Sequence, residues 1–82
     1  MKYKVGDVFY AKWPKYGHVW KIEVIGKRGR SNATIVDPAK TDWKLGETIK
    51  NSNAKLFSID EGWIHIPAKE FDVLDEVKDL LA

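Results

Sequence analysis

The residues best suited to chemistry are aromatic rings set among cations. Trp13, Tyr16 and Trp20 cluster around Pro14 and Gly17 with Lys15 between them, and Lys27, Arg28 and Arg30 follow in a short polar stretch. Aromatic faces stack on bases and attract cations, while guanidinium and ammonium groups bind phosphate and release condensed counterions. Such a mixture makes a binding surface, and we take Lys15, Lys27, Arg28, Arg30 and Lys44 as candidate nucleic-acid contacts. Trp13, Tyr16, Trp20 and Trp43 are the candidate aromatic platform. Each has a structural alternative: Trp20 inside the core, Trp13 over an open end of the fold, Trp43 pinning a polar loop, and the Lys/Arg stretch as a solubilising tip.

Reaction chemistry finds no such support. The two histidines, His18 and His65, are far apart in sequence and no cysteine accompanies them, so no metal site is expected. The carboxylate pairs Asp60-Glu61 and Asp75-Glu76 fall in a turn and on a helix face, where solvated charge is the ordinary reading. Ser31, Ser52 and Ser58 lack a nucleophile elbow, and no glycine-rich loop is present to cradle a phosphate. The expectation is a non-enzymatic domain without a cofactor.

The elements that must position these residues read mostly as β. Residues 8–12 form a first strand, stopped by Trp13-Pro14, and 18–25 alternate with Trp20, Ile22 and Val24 on one side. Residues 26–32 read as a hairpin tip and 33–36 as a third strand ended by Asp37-Pro38. The polar stretch 39–53 reads as an inserted loop. Two apolar runs, 55–59 and 63–66, read as strands four and five joined by a three-residue turn whose Gly62 takes positive φ. Residues 71–74 read as a last short strand. The spacing of Phe71, Leu74, Val77 and Leu81 predicts an amphipathic helix at the end, from about 75 to 81. Together these give one domain, 1–82, a five- to six-stranded antiparallel barrel over about 5–74 followed by a short α-helix. Trp20, Ile22, Val24, Ile35, Phe57, Ile64, Ile66 and Phe71 are its expected core.

Residues 5–24 carry a resemblance. Val5-Gly6-Asp7 before the first strand, Ala11-Lys12-Trp13-Pro14 at its end, the loop Lys15-Tyr16-Gly17 and Trp20 in the second strand resemble the opening hairpin of Tudor and PWWP domains, which are SH3-like barrels. Trp63-Ile64-His65-Ile66-Pro67 followed by Phe71-Asp72-Val73-Leu74 is similar to the closing segment of SH3-like barrels. The resemblance implies that Trp13 and Trp20 contribute to a partial aromatic cage for a methylated lysine or arginine. Val19-Trp20-Lys21 stands where a PWWP domain has its second Trp-Pro pair.

Charge is unevenly spread: residues 1–58 hold twelve Lys/Arg against five Asp/Glu (+7), and 59–82 hold two against seven (−5). Either a basic binding face lies beside an acidic tail, or the two halves pair when the chain folds. The partner expected first is nucleic acid, bound weakly and without sequence preference; the alternative is a protein partner or modified peptide. The polar N-terminus and the lack of a membrane-length apolar run fit a soluble, monomeric, unsecreted protein of the cytoplasm, or of the nucleus in a eukaryote.

Overall fold

The computed structural model describes residues 3–66. They fold as one antiparallel sheet of five strands: β1 (Val8–Lys12), β2 (Val19–Val24), β3 (Arg30–Asp37), β4 (Thr48–Asn53) and β5 (Ile64–Ile66). The spatial order is β4-β3-β2-β1-β5, so the chain meanders from β1 to β4 and then returns to lay β5 along the free side of β1. The sheet is not closed into a barrel among these residues, because β4 and β5 are its two edges. The strand expected at 71–74, the helix at 75–81 and core residue Phe71 lie outside the described residues.

One face of the sheet makes the core, and its register shows how. Trp20 lies opposite Ala11 on β1 and Ile35 on β3, Ile22 opposite Phe9 and Ala33, and Val24 opposite Ser31. Trp20 and Ile22 on the central strand thus each have one small neighbour, Ala11 or Ala33, and one large one, Ile35 or Phe9, an alternation that lets side chains of unequal size share one layer. Ile22, Ile35, Ala11 and Ala33 are completely buried, and each large apolar side chain so placed stabilises the fold by about 1.5 to 3 kcal/mol. Ser31 is buried as well, its hydroxyl donating to the Gly29 carbonyl at 2.6 Å.

The chain between β4 and β5 departs from the strand expected at 55–59. It forms a 3-10 turn, Ala54–Phe57, started by the Asn53 side chain accepting from the Lys55 N–H at 2.9 Å, and then a second turn, Ile59–Glu61. The first turn packs on β2 and β4 and puts Ala54 and Phe57, three residues apart, into the core. Leu56 between them is exposed. The apolar run has the period of a 3-10 turn, not of a strand. The three-residue hairpin expected at 60–62 is likewise the end of a 3-10 turn, although Gly62 does take positive φ, +100°.

The fourth strand comes instead from the stretch read as loop. Thr48–Asn53 is an edge strand with little of either face buried, so its sequence needs no alternation, and Ile49 is its single apolar residue. Its pairing with β3 shifts register between Ser31 and Ala33, opposite Asn51 at φ +58°. Ile64, expected in the core, is half exposed on the short edge strand β5; Ile66 is half-buried. No helix among the described residues is long and apolar enough to cross a membrane.

Candidate functional site

Antiparallel pairing fixes which loops share an end of the sheet. The register Lys12↔Val19 puts the β1–β2 turn at one end, and Val24↔Ser31 puts the β2–β3 turn at the other, with the whole of β2 between them. A strand of this length spans on the order of 17 Å. The loop 38–47 and Trp63, just before β5, belong to the first end.

Backbone hydrogen bonds hold the aromatic side chains there. The Gly17 N–H donates to the Trp13 carbonyl at 2.7 Å and the Trp13 N–H to the His18 carbonyl at 3.0 Å. Gly17 sits at φ +76°, which a side chain rarely tolerates, and this tight turn projects Trp13, Tyr16 and His18 together. In the next loop the Ala39 N–H donates to Asp37 Oδ1 and the Thr41 hydroxyl to the Pro38 carbonyl at 2.6 Å. Thr41 in turn accepts from the Trp43 N–H. This aims the Trp43 ring edge-on at Trp20, with centroids 4.9 Å apart. Gly62 ends the second 3-10 turn and delivers Trp63, whose ring meets Trp13 at 4.9 Å, Phe57 at 5.0 Å and His18 edge-on at 5.7 Å.

These rings border an open cleft of about 880 Å³. Trp13, Tyr16, Trp43 and Trp63 give it aromatic walls, while Asp42, Glu47 and Glu61 bring three carboxylates against the single ammonium of Lys40. His18 also lines it, although the residue is only 8% exposed, and Nδ1 is buried without a hydrogen-bond partner. Burial holds the His18 pKa below its ordinary value of 6.5, because a charged imidazole would lose its hydration there. The arrangement suits a cation, which gains from ring faces and carboxylates in the same concavity.

No family model, curated protein or solved structure matches the chain. What the site does must therefore be read from its own chemistry.

The structure separates the residues singled out from sequence into three groups. Trp13, Tyr16 and Trp43 reach the cleft, but Trp20 is 3% exposed and forms the floor of the core beneath Trp43. Trp43 both pins its loop to Trp20 and keeps part of its ring exposed. Lys27, Arg28 and Arg30 lie at the opposite end of β2, in and after a 3-10 turn, Lys27–Gly29, in which Arg28 takes φ +59°. Arg28 shares a smaller groove, about 580 Å³, with Lys55, Asp60 and Glu61. Lys15 stays at the aromatic end, its Nζ 5.4 Å from the Tyr16 ring centre, so it does not join Lys27, Arg28 and Arg30 in one surface. Exposed Lys44 lies on the 38–47 loop and is not part of the cleft wall.

Sequence reasoning missed His18, Trp63 and the three cleft carboxylates. Trp63 had a usable signal: it is a fourth tryptophan directly after a glycine suited to positive φ. Asp42, Glu47 and Glu61 had none, because they are brought together by loops of unrelated sequence.

Proposed function

We propose that this chain is a non-enzymatic recognition module that holds a cationic side chain of a protein partner in its aromatic cleft. One observation carries the reading: aromatic rings from both the β1–β2 and β3–β4 connections line one cleft with three carboxylates and one lysine. A lysine ammonium or arginine guanidinium entering there meets the negative faces of Trp13, Trp43 and Trp63 with Asp42, Glu47 and Glu61 around it. The partner is an extended or loop segment, which can present a side chain to an open concavity. β1 pairs on both sides, with β2 and β5, which supports an SH3-like small barrel as the finer description of the fold.

A second reading, weak nucleic-acid binding, is favoured by the exposed cations Lys27, Arg28 and Arg30 at one tip. It ranks lower because the rings that would stack on bases stand at the other end of the sheet. Asp60 and Glu61, moreover, line the same groove as Arg28 and Lys55.

Calorimetric titration against a lysine-containing peptide and a single-stranded oligonucleotide, at low salt, tests the ranking. The peptide should bind, and Trp13→Ala should weaken it while Arg28→Ala with Arg30→Ala leaves it unchanged. Oligonucleotide binding lost with the two arginines, and no heat from the peptide, would reverse the order.

A further inference from the structure

His18 is the most heavily buried polar residue in the cleft, and its situation is unusual. Its ring sits among Tyr16, Trp20 and Trp63, with centroids 6.4, 6.3 and 5.7 Å away, and the Nδ1 atom is shielded from water with nothing to bond to. Buried polar atoms nearly always have a partner, and the exceptions call for an explanation. A histidine used only to fill space between aromatic rings could be replaced by an apolar residue without leaving a nitrogen unpaired.

Resting on the cation-binding reading above, we propose that His18 is the specificity-determining acceptor of the cleft: its Nδ1 takes a hydrogen bond from an N–H of the bound cation. The cleft would then select cations that keep a hydrogen, an unmethylated lysine above all, over a quaternary ammonium.

The chemistry fits on three counts. A neutral imidazole has one donor and one acceptor nitrogen, and a cationic partner, which brings donors only, selects the tautomer with its lone pair on Nδ1. Burial keeps the ring neutral, so the lone pair is available. The torsion about Cβ–Cγ has two broad wells, so a half-turn exchanges Nδ1 with a ring carbon of similar size, and in the proposal it is this turn that presents Nδ1 to the bound cation. The other groups around the cleft cannot replace it. Asp42, Glu47 and Glu61 are exposed on the rim and attract any cation, methylated or not, while Lys40 repels both alike. Ring faces favour the cation whether or not it carries a hydrogen. Among the described cleft residues, His18 alone offers a buried acceptor.

The test titrates the full chain with a glycine-flanked lysine peptide and its trimethyl-lysine counterpart, reading the tryptophan indole resonances and the imidazole nitrogens of His18. The unmethylated peptide should bind roughly tenfold tighter, as one hydrogen bond to a charged donor warrants. The Nδ1 resonance of the wild-type chain should move at saturation in the direction of a hydrogen-bonded acceptor. His18→Phe should lose the preference while still binding the trimethyl peptide, and His18→Asn, which keeps an acceptor near the same place, should restore part of it. Equal or reversed affinities in the wild-type chain, or an Nδ1 resonance unmoved at saturation, would overturn the role of His18 while leaving cation binding in place. Indoles that respond to neither peptide would overturn cation binding and the role of His18 together. Because the nitrogen readout uses the wild-type chain, poor folding of a variant does not blunt the test.

Discussion

The two ends of the sheet differ in what holds them in shape. At the end where β1 turns into β2, rings touch rings in a continuous set from Trp13 through Trp63 and Phe57 to Trp20 and Trp43. At the opposite end the cations Lys27, Arg28 and Arg30 ride on a backbone turn, where Ile25 and Gly26 donate to the Arg30 carbonyl. The aromatic end therefore draws its geometry from the core itself, and a ligand there meets surfaces already in place. The basic end has a fixed backbone but exposed side chains, which suits solubility or loose attraction better than shaped recognition.

Substitutions should expose that asymmetry. Trp20→Ala should be the most damaging, costing about 3 to 5 kcal/mol in denaturant unfolding, because it removes the ring that both fills the core and supports Trp43. A loss near 1 kcal/mol would show that the two tryptophans are not mechanically linked. Ile22→Ala should cost roughly 2 to 4 kcal/mol through the cavity it leaves.

Acid should act on the aromatic end next. The folded pKa of His18 lies below its ordinary 6.5, so between those values the unfolded chain holds the extra proton. Its contribution to stability is complete above pH 6.5 and is lost as pH falls from 6.5 through the lower folded value. Unfolding midpoints measured across that range should fall in the wild-type chain and fall less steeply in His18→Phe. Identical slopes would mean that burial does not disfavour the imidazolium. At the basic end, Arg28→Ala with Arg30→Ala should shift stability by no more than about 0.5 kcal/mol, since both side chains are exposed. A larger loss in the same unfolding experiment would give the tip a structural part.

Much of the fold was legible where one face of a strand is buried. The bounds of β1 match their reading from sequence, and the alternation of Trp20, Ile22 and Val24 gives both β2 and its inward face. The signal fades wherever burial stops dictating residue type. Thr48–Asn53 has no period because an edge strand exposed on both faces imposes none, and Ala11, Ala33 and Ala54 are core residues too small to stand out. The candidate site was half legible. Trp13, Tyr16 and Trp43 could be picked out as rings in polar surroundings, but whether Lys15 belonged with them or with Arg28 depends on which end of β2 each turn occupies. Local sequence predicts the turns. Only the paired sheet shows that they face opposite ways.

The central claim is that the aromatic end, and not the basic tip, is the binding surface. Backbone and indole resonances of the labelled chain, followed during titration with the glycine-flanked lysine peptide, test it most directly. The account predicts shifts concentrated at Trp13, Tyr16, Trp43 and Trp63, with the amides of Lys27, Arg28 and Arg30 unmoved. Shifts confined to those three cations and Lys55, with the tryptophan indoles silent, would contradict it.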